Sequence, residues 1–172
     1  MTTETPTETH AETNIGREPE YGDAPPVYFE DLTRGRTLVS PEIDITMAHL
    51  KLFNDLTLNS SRIHREIDLA KKVGFTNRVL PGALVVGVML PLHGAIAEQR
   101  TVGLLGLNDV RFLVPVYVGD RLRLESTVIS VRGTSKADRG MVTFQERIVG
   151  SEGRDRIHAQ RIALYQRRNP TA

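Results

Sequence analysis

Cysteine is absent from this 172-residue chain, which excludes disulfides, thiolate nucleophiles and Cys-ligated zinc or iron–sulfur sites. A strong charge of one sign is also missing. The formal net charge is +1, so no global field draws the molecule to nucleic acid or to a membrane surface. The N-terminus has no basic segment leading into an apolar core, so no signal peptide is expected. Together with the missing cysteine, this points to the cytoplasm. Internal repeats and glycine-rich phosphate loops are absent too. The five histidines are scattered, and no metal site is expected.

Long hydrophobic runs number one. Val79–Ala97, "VLPGALVVGVMLPLHGAIA", approaches the length of a membrane span, but it contains His93, Pro81, Pro91 and several glycines. It is read as a buried helix from Pro81 to about Glu98, with Pro81 in the first turn, where a missing N–H costs nothing. At 40% hydrophobic and 25% charged residues, the composition suits one globular domain.

Residues 1–26 are rich in Thr, Glu and Pro and poor in large apolar side chains. They are expected to form a disordered tail, with a single domain over residues 27–172. Arg36 to Asp44 reads as one strand. Thr46 is a predicted N-cap for a helix with Met47, Leu50, Phe53 and Leu56 on its inner face. "REIDLAKKVGF" predicts a short helix burying Ile67 and Ala70 and stopping at Gly74. After Gly103 the period changes to two. Leu122, Leu124, Ser126 and Val128 alternate, and Val142, Phe144, Glu146 and Ile148 do the same. "VGDR" and "GSEG" read as turns in an antiparallel meander. A helix apolar all round must be covered on most sides, so the expected fold is α+β: a hotdog, with a long central helix wrapped by a curved antiparallel sheet.

Between the first two helices lies the polar stretch "NSSRIHREIDLA", starting at Asn59. By itself it is weak evidence. A Ser or Asn before a helix is usually a cap, and a lone His is usually structural or solvated. In context, "FNDLTLNSSRIHREIDLAKKVGFTNRVLPGALV" from Phe53 to Val85 resembles the hydratase 2 motif of MaoC-like (R)-specific enoyl-CoA hydratases and acyl dehydratases. That motif has an aromatic, two variable positions, a Leu and Ser-Gly-Asp. One variable position later come Asn-Pro-Leu-His, an acid two residues on, and an Ala four beyond that. Phe53, Leu56, Thr57, Ile63, His64, Glu66 and Ala70 keep the pattern without gaps, followed by Gly74-Phe75 and Pro81-Gly82. "VRFLVPVYVGD" resembles the family's later strand–turn–strand. The chain departs from the motif at Asn59 (Asp in the motif), Ser61 (Asn), Arg62 (Pro) and Pro81 (His). The "LTLN" run looks like the subgroup that includes mesaconyl-CoA hydratases.

The resemblance implies reversible hydration of an enoyl thioester, carried by coenzyme A or by acyl carrier protein, with no cofactor beyond the coenzyme A of the substrate. His64 is the implied general base, being the group of the stretch that exchanges a proton near neutral pH. Asn59 would hold the water, since an amide has no titratable acceptor, with Ser61 as a further hydrogen-bonding partner. The Gly82 N–H, at the helix start, would meet the thioester oxygen; otherwise Gly82 serves only close helix–sheet packing. Two other readings stay open: a hotdog thioesterase using Asp55 or Glu66, and a non-catalytic acyl-thioester-binding subunit. His93 reads as a hydrogen-bonded core or interface residue, and His49 as a helix-surface residue. Arg111, Arg121, Arg123, Arg132 and Lys136 are the basic residues considered for the coenzyme A phosphates. A homodimer or a multiple of dimers is expected, because hotdog subunits expose a sheet edge.

Overall fold

The computed structural model describes residues 24–169; the expected disordered tail lies almost wholly outside them. Six antiparallel strands form one sheet: β1 (Thr37–Val39), β2 (Ile43–Asp44), β3 (Thr101–Phe112), β4 (Arg121–Gly133), β5 (Arg139–Gly150) and β6 (Asp155–Gln166). Their order is β1-β4-β5-β6-β3, with β2 also on β4. Among the described residues three α-helices precede β3: α1 (Met47–Leu56), α2 (Ile67–Lys72) and α3 (Gly82–Met89). No helix among the described residues is long and apolar enough to cross a membrane.

The period-two pattern lands as expected. Leu122, Leu124, Ser126 and Val128 are buried, as are Val142, Phe144, Glu146 and Ile148 on the facing strand. Leu84, Val85 and Met89 of α3 pack with Leu122, Leu124, Ile148 and Ile157. A second apolar cluster, around Phe144, Val142, Ala163 and Tyr165, also takes in Val27, Leu38 and Ala97.

Four expectations change. The first strand breaks at Ser40–Glu42, because Pro41 has no N–H for the ladder. Ser40 bridges the gap, its hydroxyl accepting from the Leu124 N–H at 2.9 Å. The central helix is eight residues long, not eighteen. Pro91 removes a donor, and the chain continues as tighter turns, with Gly94, Ala95 and Ile96 each bonded three residues back. Third, β3 and β4 are not neighbours. The turn at Gly119 (φ 98°) leads the chain away from β3, which pairs with β6 at one edge of the sheet, while β4 pairs with β1, β2 and β5. Finally, α1 buries Leu50 and Asn54, whereas Met47 and Leu56 are exposed.

Helix ends explain how the polar stretch is shaped. Thr46 caps α1 through a box in which its hydroxyl accepts from the His49 N–H and the His49 ring accepts from the Thr46 N–H. At the other end of α1, Asn59 N–H bonds to Asn54 O (2.9 Å) and Leu58 N–H to Asp55 O (3.4 Å). This pair of bonds is a Schellman stop, and it requires a left-handed residue, here Leu58 at φ 51°. The next helix, α2, stops the same way: Phe75 N–H bonds to Ala70 O and Gly74 N–H to Lys71 O, with Gly74 at φ 101°.

Candidate active site

After the α1 stop the chain makes a 3₁₀ turn, Arg62–His64. It then forms α2 and an extended segment whose Leu80 N–H bonds to Val116 O and whose Arg78 O accepts from the Val118 N–H. This segment holds His64. The imidazole Nδ1 lies 2.9 Å from the Val79 carbonyl oxygen. A carbonyl only accepts, so Nδ1 carries the hydrogen, and the neutral ring has its lone pair on Nε2. A base-competent nitrogen is therefore available without any carboxylate partner.

His64 lines two cavities at once. One, of about 540 Å³, has otherwise apolar walls, among them Phe75, Val85, Phe112, Val116 and Ile157, and it includes Gly82. The other, of about 170 Å³, is lined by Lys51, Asn54, Asp55, Arg65 and Arg78 together with the apolar Met47 and Leu50. The structure thus brings two of the predicted site residues, His64 and Gly82, to one cavity. Gly82 opens α3, so its N–H has no intrahelical acceptor. It is also tightly packed: a Cβ there would meet the Phe112 ring at 2.8 Å.

Asn59 and Ser61 are not among the residues lining either cavity. The Asn59 side chain is engaged at both ends. Its Oδ1 accepts from the Ser61 N–H (3.1 Å), and its Nδ2 donates to Asn54 Oδ1 (2.8 Å). Its carbonyl accepts from Arg65 Nε (2.7 Å). Asn54, which lines the small cavity with His64, is a residue that the sequence reading did not single out. Helical spacing assigned the inner face to Phe53 and Leu56, and nothing marked the Asn between them.

The acids considered for a thioesterase separate here. Glu66 is paired with Arg62 (2.7 and 2.8 Å), whose hydrogen bonds hold its carboxyl below the usual range. Asp55 lines the small cavity with His64. Of the basic residues considered for phosphate, Arg121 pairs with Asp44 and Arg123 with Glu125, and none of the five lines a cavity with His64.

A larger cavity, about 700 Å³, opens near the Pro91 turns and is lined by His93, Gln99 and Arg161. His93 and Arg161 share one oxygen of the buried Glu146, whose other carboxylate oxygen is buried without a hydrogen-bond partner. Arg161 donates from Nε to Glu146 Oε1 (2.8 Å) and from Nη2 to His93 Nδ1 (3.2 Å). A guanidinium only donates, so His93 Nδ1 accepts and Nε2–H donates to Glu146 Oε1 at 3.0 Å. Burial, the largest effect on His93, depresses its basicity and keeps it neutral. Burial opposes the charge on Glu146, but the bonds from His93 and Arg161 outweigh it and hold that carboxyl below its usual range. One anion and one cation cancel, so size alone does not make this cavity a reaction site.

Residues 30–148 match the model of the MaoC-like domain. The chain belongs to that family. Mesaconyl-CoA hydratase of Haloarcula marismortui is 26% identical over 144 residues, covering 83% of this chain and 39% of the relative. The chain therefore spans about two-fifths of that relative's length. Among solved structures, a monoamine oxidase regulatory protein from Archaeoglobus fulgius matches with a TM-score of 0.74 at 25% identity, covering 84% of this chain and 97% of that one. Rv0216 of Mycobacterium tuberculosis, described as a double hotdog fold, matches with a TM-score of 0.77 at 20% identity, covering 85% and 46%. The MaoC-like chain described here has the α+β hotdog fold.

Proposed function

We propose that this protein is a hydro-lyase that adds water reversibly to an enoyl thioester, giving a 3-hydroxyacyl thioester carried by coenzyme A. The observation that carries this reading is His64 lining both the apolar cavity and the smaller one that holds Asn54 and Asp55, with Nδ1–H on Val79 O and the Nε2 lone pair available. Family membership and the mesaconyl-CoA hydratase relative support the reaction class.

In the hydration direction, His64 Nε2 takes a proton from water while the water oxygen bonds to the β-carbon. The π pair of the double bond shifts toward the carbonyl, forming an enolate whose oxygen accepts from the Gly82 N–H. One such preorganised donor is worth on the order of 3 kcal/mol. The imidazolium then returns its proton to the α-carbon, and the catalyst is regenerated.

The apolar cavity suits an uncharged acyl chain. A free carboxylate on the acyl group, as in a mesaconyl thioester, would be buried there against walls with no cationic side chain other than His64 when protonated. We further propose a cytoplasmic homodimer. At the sheet edge β3 exposes Val102, Leu104, Leu105 and Phe112, and Phe112 also lines the apolar cavity. A monomer in analytical ultracentrifugation at micromolar concentration would contradict the dimer.

Asp55 beside His64 is the one observation in favour of a thioesterase. A panel of straight, branched and dicarboxylic enoyl-CoA esters, followed for loss of the conjugated double bond and for thiol release, separates the readings. Loss of conjugation without thiol, fastest on uncharged chains, is expected. Thiol release alone makes the protein a thioesterase, and neither signal makes it a binding subunit.

A further inference from the structure

The two amides of the α1 stop have orientations set by one backbone group. The Ser61 N–H can only donate, so the Asn59 atom 3.1 Å away is its Oδ1. Asn59 Nδ2 must then face Asn54, which offers its own Oδ1 at 2.8 Å. The Schellman geometry makes this meeting possible. Asn54 and Asn59 occupy the two positions of that motif that commonly share a hydrophobic contact, and here an amide–amide hydrogen bond replaces it.

Asn54 is only 5% exposed, yet it lines the small cavity beside His64. With Oδ1 held by Asn59, its Nδ2 is left with two N–H groups. The Asn54 side chain borders the cavity that His64 also lines, where water can meet those N–H groups. The cavity, about 170 Å³, has room for a few water molecules at roughly 30 Å³ each.

We propose that Asn54 is the residue that holds the reacting water, its Nδ2–H donating to the water oxygen while His64 Nε2 takes the water proton. Asn59 is then a positioning residue that acts through Asn54 by fixing which way its amide points. This rests on the hydro-lyase reading and changes how the Asn at the family's Asp position takes part. The amide at position 59 does not touch water; it aims a second amide that does. Asn59 thereby replaces an acid with an orienting group, and the proton traffic is left to His64 alone.

The test uses the full chain and the best enoyl-CoA ester of the panel. Asn54→Ala should lower kcat by about 10- to 100-fold, the scale of a misplaced reactant, with KM changed less than about twofold. Asn59→Ala should lose less. The double variant should be no slower than Asn54→Ala, because both changes remove one water-holding device. Asn54→Asp, nearly isosteric, puts a carboxylate beside the imidazole and should move the acid limb of the kcat/KM pH profile to higher pH, which a purely structural Asn54 would not do. A folded Asn54→Ala variant with wild-type kcat overturns the proposal, as does an Asn54→Asp profile that does not move. If the wild type hydrates no member of the panel, the hydro-lyase reading itself has failed, and this proposal falls with it.

Discussion

Arg161 and Glu146 face each other across β5 and β6, both buried, with Nε and Oε1 2.8 Å apart. Arg161→Met would leave the Glu146 carboxylate without its cation and should cost about 3–5 kcal/mol in urea unfolding. The double change Arg161→Met with Glu146→Leu should recover part of that loss, since no stranded charge remains, while His93 loses both of its hydrogen-bond partners.

The same cluster sets a pH dependence. Burial depresses the folded-state basicity of His93, so the unfolded chain binds more protons below the ordinary histidine value of about 6.5. Stability is therefore full above that value and falls as pH drops toward the folded-state value, by at most about 1.4 kcal/mol per pH unit from this one group. Glu146 adds a further loss at lower pH, as its depressed carboxyl is protonated. Thermal melts from pH 8 to 5 should show a declining Tm, and His93→Gln should flatten the upper part of that decline.

Leu58 is left-handed at φ 51° and 85% exposed, where the equivalent stop of α2 uses Gly74. Its side chain gains little from burial and suffers the left-handed penalty of about 1 kcal/mol. Leu58→Gly should raise stability by about 1 kcal/mol. A loss of that size in denaturant melts would mean that the leucine side chain packs usefully in solution.

A methyl group at Gly82 would collide with the Phe112 ring. Gly82→Ala should reduce hydration by at least tenfold, and Phe112→Leu in the same chain should restore part of it if the collision, rather than the lost close approach of the N–H, is what matters. Comparing kcat in the single and double variants separates the two roles of Gly82.

Much of the fold was legible because alternation in a half-buried strand has a period of two. Leu122 to Val128 and Val142 to Ile148 follow it without a break, including the buried Glu146. Strand order was not legible, since nothing in "VGDR" tells whether the turn joins neighbouring strands or carries the chain from one edge to the middle. Pro91 did signal the end of α3, but an apolar run on both sides of it masked the stop. At the proposed site, the local order of residues picked out His64 and Gly82, which the structure brings to one cavity. Asn54 escaped because the sequence reading gave the inner face of α1 to Met47, Leu50, Phe53 and Leu56, whereas the helix buries Leu50 and, four residues on, Asn54.

The central claim is that His64 carries the proton transfer, and single-site kinetics test it most directly. His64→Ala, checked for folding by circular dichroism and thermal melting, should hydrate the best enoyl-CoA ester about 100-fold or more slowly than wild type, the usual scale of a lost general base. A well-folded His64→Ala protein that turns over the same ester at the wild-type rate would contradict the account.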